Sequence, residues 1–437
     1  MNFKEANLYL ESLINYEKKN IKNEFDFERF LRNLKEFSNP QEALKNPLLI
    51  AGTKGKGSTA HHVVSGLIKK NINNVGLFTS PHVMNVRERI RIGNKEISEE
   101  EFANYVLKIK EKIEGGIKLT YFESLTIMGF MYFKDKKTDF NVLEIGLGGR
   151  LDAVNACPSR FSIVTSISYD HEHILGDTLE KIAYEKSFVI KGGKTIIAPQ
   201  ERKVLDVLIE RAKKFKTEVY LLGKDIPFKI VEVSEKGTDF KIYFDNKWNY
   251  IHTDLLGDFQ AINAGLAYIY LKLNNLEVDE FKDFQIYGRF EKIYEKPLLI
   301  ADGAHNPLSI RAVVRNVKRI IKKRPSFLIF GSNKDKNNKK ILEILKHLEP
   351  DFLVLTQSHI PRRESPLVLF DIAKNIGFKK IIKFEDSFSA FEFCFNNSNS
   401  NSFILLTGSF YLVELIKRFV QNRSLEKKGN LPLNQTP

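Results

Sequence analysis

Thirteen residues constrain this chain more than any others: Pro47-Leu-Leu-Ile-Ala-Gly-Thr-Lys-Gly-Lys-Gly-Ser-Thr59. A short apolar run over 48–51 breaks into glycines and lysines, and a helix-compatible pattern starts at Ser58. The order strand, glycine-rich loop, helix gathers backbone N–H groups and a helix N-terminus onto one anion. In such a loop Lys56 meets the outer phosphates of a nucleotide, and the hydroxyl of Ser58 or Thr59 is a Mg²⁺ donor. The strict pattern G-x-x-x-x-G-K-[ST] is not met, because Gly57 separates Lys56 from Ser58. A basic surface turn is the competing account. The apolar strand before the loop and the unbroken helix pattern after it favour ATP.

The 437 residues exceed what one hydrophobic core usually supports, so two domains are expected. Strand patterns at 48–51, 75–79, 140–145, 162–166 and 195–198 alternate with helix patterns at 58–70, 98–113, 120–133, 178–190 and 202–214. That alternation predicts a mainly parallel sheet with helices on both faces. Short strands are expected over 219–252 and a helix over 258–273. A second α/β series, with strands at 298–301, 327–330, 352–355, 381–384 and 403–406, has the size of a smaller Rossmann-like domain. The expected division is therefore 1–290, 297–422 and a disordered tail over 423–437.

The formal charge of +14 suits a polyanionic substrate, but the basic residues are spread along the chain. No Lys/Arg block alternates with aromatics as in a nucleic-acid groove, so no nucleic-acid partner is expected. Two distant cysteines, Cys157 and Cys394, offer neither a metal spacing nor a disulfide framework. The N-terminal residues lack an apolar signal core and no apolar run reaches membrane-spanning length. The expectation is a cytoplasmic protein without a membrane partner.

Other polar groups fall just past strand patterns, where open α/β sheets bind ligands. Glu144 ends the strand of Phe140-Asn-Val-Leu-Glu-Ile-Gly-Leu-Gly-Gly-Arg-Leu-Asp152, and a lone acid there suits Mg²⁺. A dinucleotide fingerprint is the alternative, weakened because Leu151 stands where its third glycine belongs. Asp170, His171, Glu172 and His173 follow the next strand. Lys186 lies in a helix pattern, where a solvated lysine is the ordinary reading. Arg289 falls at the join between domains. Asp302 and His305, in Asp302-Gly-Ala-His-Asn-Pro307, follow the first strand of the second domain; a plain helix-entry loop reads equally well.

Taken together these segments resemble the folylpolyglutamate synthase and dihydrofolate synthase family, within the Mur-type ADP-forming ligases. The resemblance runs from Leu48 to about Phe419. It is carried by Gly-Thr-Lys-Gly-Lys-Gly-Ser at 52–58, Thr-Ser-Pro-His at 79–82, Glu-Arg-Ile at 88–90, and Leu-Thr-x-Phe-Glu at 119–123. Further on come Glu-x-Gly-x-Gly-Gly-Arg-Leu-Asp-Ala at 144–153, Asp-His at 170–171, Glu-Lys at 185–186, and Gly-Asp-Phe-Gln-x-x-Asn-Ala at 257–264. Gly-Arg-Phe-Glu at 288–291, Asp-Gly-Ala-His-Asn-Pro at 302–307 and Thr-Gly-Ser at 407–409 complete the series.

The resemblance implies ATP-dependent addition of L-glutamate to a pteroate or folate through an acyl phosphate; a monomer is expected, though the sequence does not decide the oligomeric state. The resemblance further implies that Thr53, Gly55, Lys56, Gly57, Ser58 and Thr59 cradle the phosphates, with Asn263 near the adenine. Arg289, Asp302 and His305 would reach the nucleotide from the second domain. Two Mg²⁺ sites would draw on Ser58, Glu144, His171 and a carbamylated Lys186. Ser80, Pro81, His82, Phe122 and Glu123 would border the pterin substrate, dihydropteroate or a reduced folate. The chain departs from the family at Lys54 (usually Asn), at Phe259 (often His) and at Asn337, which replaces an acid. A Mur-type ligase acting on a nucleotide-linked peptide precursor is the sibling reading; a basic nucleic-acid-binding P-loop protein is the non-enzymatic one.

Overall fold

A computed structural model describes residues 1–14, 26–234, 236–282 and 286–426. The chain divides into two compact units, Met1–Phe284 and Gln285–Pro437. Strand Glu291–Tyr294 pairs antiparallel with Leu298–Asp302 and so goes with the second unit.

The first unit is built on an eight-stranded sheet. From one edge its strands are Lys95–Glu96, Ile90–Ile92, Val75–Phe78, Phe140–Glu144, Pro47–Ala51, Phe161–Val164, Lys194–Ile197 and Glu218–Leu221. The last six are mutually parallel, and the two short edge strands form an antiparallel hairpin on them. Pro47–Ala51 sits between Phe140–Glu144 and Phe161–Val164. The carboxyl ends of these three strands are therefore neighbours, the arrangement that opens a binding crevice in parallel sheets.

Side chains alternate across the central strand. Leu49 and Ala51 join a core with helices Phe3–Ser12, Phe27–Lys35, Glu99–Glu114, Tyr121–Asp135, Leu179–Ser187 and Arg202–Lys214. Leu48 and Ile50 face the other way, onto helices Lys56–Lys69 and Asp258–Leu273. Burial on both faces is why this strand reads as an unbroken apolar run. The second face also carries an antiparallel meander, Phe228–Ser234, Gly237–Phe244 and Lys247–Thr253, which buries Phe240, Ile242 and Ile251 against it. On the meander's outer side Trp248, the chain's single tryptophan, is 42% exposed, 5.5 Å from the Tyr243 ring and beneath the Lys241 ammonium. The expected short strands thus form the meander, whereas Glu218–Leu221 joins the main sheet.

The second unit holds six strands in the order Glu291–Tyr294, Leu298–Asp302, Phe403–Thr407, Phe327–Phe330, Phe352–Leu355 and Ile381–Lys383, all parallel but the first. Helix Phe410–Glu426 runs four residues into the segment expected to be disordered; the rest of that expectation, 427–437, lies outside the described residues. No described helix is long and apolar enough to cross a membrane.

Candidate active site

The loop after Pro47–Ala51 turns on two glycines in conformations other residues rarely adopt. Gly52 has φ 145° and Gly55 φ 92°. A Cβ at Gly52 would lie 1.9 Å from Thr165 Oγ1, and one at Gly55 2.2 Å from Asn263 Oδ1. The loop is stitched to the segment after the neighbouring strand: Thr53 N–H donates to Ser166 O at 2.8 Å, and Thr53 Oγ1 to Ser168 O at 3.1 Å. Helix Lys56–Lys69 begins at Lys56, two residues before the expected start, with Gly55 as its N-cap. Lys56, Gly57 and Ser58 thus supply its first three N–H groups, which together with the helix dipole attract an anion, whereas the Thr59 N–H already donates to Gly55 O at 2.8 Å. Ser58 and Thr59 are buried, and Thr59 Oγ1 has no hydrogen-bond partner among the described residues.

Glu144, at the end of the adjacent strand, is buried against this turn. A Cβ on Gly57 would lie 3.2 Å from its Oε2, and the same oxygen accepts the Ser80 N–H at 3.0 Å. One carboxylate therefore touches both the helix start and the Ser80-Pro81-His82 loop. That loop takes its shape from Glu88, whose buried carboxylate accepts the N–H groups of Val83, Met84 and Asn85 at 2.6–2.9 Å. Arg89 Nε donates to His82 Nδ1 at 2.8 Å. Phe122 fills the space beside Gly146, where a Cβ would lie 2.6 Å from its ring. Glu123 is engaged structurally: it closes a capping box with Thr120 and pairs with Arg29 at 2.7 Å.

Lys186 lies on helix Leu179–Ser187, only 4% exposed, and its Nζ donates to Gly52 O at 2.9 Å. Burial, reinforced by the charges of Lys56 and Lys54 against the opposing Asp170 and Asp152, lowers its pKa from 10.5 to about 7. This is no solvated helix lysine: its amine is buried beneath the glycine-rich loop. Asp152, which caps the short helix Ala153–Ala156, is pushed up to about 6 by burial, against the N–H groups of Leu147 and Val154 and the charge of Lys56. Asp170 pairs with Lys54 at 3.1 Å. His171 follows, half-exposed with φ 52°, its Nε2 3.8 Å from Asp170 Oδ1.

In the second unit Asp302 closes its strand by accepting Phe290 N–H at 2.7 Å and Ala304 N–H at 2.8 Å. The Arg289 guanidinium lies 4.6 Å from the Phe410 ring centre, and the His305 ring meets the same phenylalanine edge-on at 6.0 Å. Arg289, Asp302 and His305 therefore form one cluster. Asn337 caps helix Asn338–Leu345 by accepting the Lys340 N–H, so replacing the family's acid keeps the cap.

Residues 50–271 match the Mur ligase middle domain, and residues 288–410 match the Mur ligase glutamate ligase domain. The dihydrofolate synthase/folylpolyglutamate synthase of Bacillus subtilis is 31% identical over 390 residues, covering 84% of this chain and 89% of that one. The chain belongs to the folylpolyglutamate and dihydrofolate synthase family of Mur ligases. Among solved structures, folylpolyglutamate synthase from Thermotoga maritima is similar with TM-score 0.83 at 29% identity, over 98% of this chain and 99% of that one. E. coli FolC in complex with DHPP and ADP is similar with TM-score 0.84 at 25% identity, over 97% and 99%.

For a member of this family, several groups at the candidate site escape the sequence reading. Glu88 lies in the Glu-Arg-Ile motif, but its bonding to the Val83–Asn85 turn escapes, although the Asn85-x-x-Glu88 spacing is a capping-box signal for it. Lys54–Asp170 and Arg29–Glu123 have no local signal, since 116 and 94 residues separate the partners.

Proposed function

We propose that this chain joins the amino group of L-glutamate to the carboxylate of a pteroate or folate, converting ATP to ADP and phosphate. Family membership supports the reaction class. The observation that carries the reading at the level of residues is the meeting of Lys56, Glu144 and the mostly desolvated Lys186 around one loop.

A carboxylate resists attack by an amine, so it is first activated. Its oxygen attacks the γ-phosphorus of ATP, the bond to the bridging oxygen breaks, and ADP leaves an acyl phosphate. The glutamate amine then attacks the acyl carbon, phosphate departs and the amine loses its proton. Loop N–H groups and Lys56 neutralise charge on the transferring phosphoryl group. The Ser80–His82 loop and Phe122 hold the pterin acid in line, which matters because two anions must approach one another. Asn263 serves the nucleotide.

The residues present suit Mg²⁺. Among the described residues no group of three or more His, Cys, Asp or Glu could hold a metal unaided. A hard ion that keeps its waters and takes phosphate oxygens needs only one or two protein donors. Ser58 and Glu144 would provide these for one ion, and His171 with a carbamylated Lys186 for a second. Mg²⁺ bound there supplies positive charge to the phosphates. Carbamylation would join the neutral form of the Lys186 amine to CO₂ with loss of a proton, giving a carboxylate-like donor. We place the enzyme in the cytoplasm, as a monomer.

The test is an ADP-release assay offering dihydropteroate and tetrahydrofolate separately, with and without L-glutamate. Release that requires both glutamate and a pterin acid is expected. Silence with both acids would overturn the substrate class, and the responding acid defines which synthase activity is present.

A further inference from the structure

We propose that Lys54 is a second phosphate-binding lysine of the loop, held by Asp170 until a nucleotide displaces that carboxylate. The inference rests on the reading that residues 52–59 cradle phosphates and adds a residue and an exchange to it.

The backbone of Lys54 is fixed. Its N–H donates to Ser166 O at 3.3 Å, and Ser166 Oγ donates back to Lys54 O at 3.3 Å. Its ammonium lies 3.1 Å from Asp170 Oδ2, with the lysine side chain 23% and the aspartate 12% exposed. Lys54 thus stands one residue before Gly55 and two before Lys56, and its charge reaches the same buried amine, Lys186, that Lys56 influences.

A partly exposed lysine–carboxylate pair contributes little net stability. A triphosphate carries several charges and makes short charge-assisted bonds, so it outcompetes one carboxylate for the ammonium. The other oxygen of Asp170 accepts the His171 N–H at 3.1 Å, which keeps the carboxylate in place once Lys54 departs. Asp170 is therefore an internal stand-in for a phosphate. It lowers affinity for nucleotide while preventing two neighbouring cations from facing each other unscreened.

The experiment is calorimetric titration of the full chain with ADP and with a non-hydrolysable ATP analogue, each with Mg²⁺ and in EDTA. Titration in EDTA separates the lysine contact from any effect on metal binding. Lys54→Gln should weaken analogue binding roughly tenfold, and Lys54→Arg should retain most of it. Asp170→Asn should tighten binding about threefold to tenfold, a gain lost when combined with Lys54→Gln. Wild-type affinity in Lys54→Gln overturns the inference. So does weakening by Asp170→Asn, which would make the pair a structural brace. Lys56→Ala is the control: if it alone loses affinity, the phosphate loop stands and only the role of Lys54 falls. If it too binds normally, the loop reading itself is wrong.

Discussion

Asn263 Oδ1 occupies the space that a side chain on Gly55 would need, 2.2 Å from where a Cβ would stand. The helix that carries Asn263 begins more than two hundred residues after the glycine, so tertiary structure alone brings loop and amide together.

This contact makes Gly55→Ala a double fault, because φ 92° is also a conformation that L-residues rarely adopt. Urea unfolding should show a loss of about 2 kcal/mol, and nucleotide affinity should fall at least tenfold. Asn263→Ala removes the clash but not the backbone strain, so in that background the alanine should cost less. Strict additivity of the two substitutions would mean that the contact is not limiting.

If Lys186 binds metal as proposed, Lys186→Ala should lower ligase turnover by at least ~100-fold. If the carbamate is the active form, a short-chain carboxylic acid should restore part of the rate. A variant as fast as wild type would remove the carbamate from the reaction.

Loss of the cation–π contact with Phe410 in Arg289→Ala should cost about 1 kcal/mol or less of stability. Turnover should nevertheless fall at least ~10-fold if the guanidinium meets phosphate. Asp302→Asn is the counterpart. It turns an NH₂ toward one of two backbone N–H groups and should cost about 1–3 kcal/mol of stability. An unaltered rate in Arg289→Ala would confine that cluster to a structural part.

His62 supplies a pH prediction. It is fully buried behind the loop, bonded to Ser58 O at 2.7 Å and Thr253 Oγ1 at 2.9 Å, and burial lowers its pKa to about 3. Below its ordinary 6.5 the unfolded chain binds a proton that the folded chain refuses until about pH 3. Stability therefore falls as pH drops through 6.5, by about 2 kcal/mol between pH 7 and 5 from this group alone. Urea titrations at both pH values should show a slope flatter by that amount in His62→Gln. Equal slopes would mean that the imidazole is protonated in place.

The loop and its strand are legible in the sequence because they are contiguous and the strand is buried on both faces. The same holds for the strand preceding Asp302. The hairpin of Ile90–Ile92 and Lys95–Glu96 is too short and too polar to register. Helices Phe3–Ser12, Phe27–Lys35 and Pro366–Ile376 begin at the caps Asn2, Asp26 and Ser365, which are local signals legible in the sequence. What local pattern cannot yield is partnership across the sheet. Lys54 with Asp170 and Gly55 with Asn263 depend on which strands are neighbours. The lowered pKa of Lys186 likewise follows from burial beneath a loop far away in the chain, so the sequence pattern alone makes it look like an ordinary helical lysine.

The exposed indole of Trp248 has a practical corollary. Being the sole such ring in the chain, it makes intrinsic emission a label-free reporter of one small meander. A transition seen by calorimetry while that emission holds steady belongs elsewhere in the molecule, so the two parts of the chain can be followed separately without a dye.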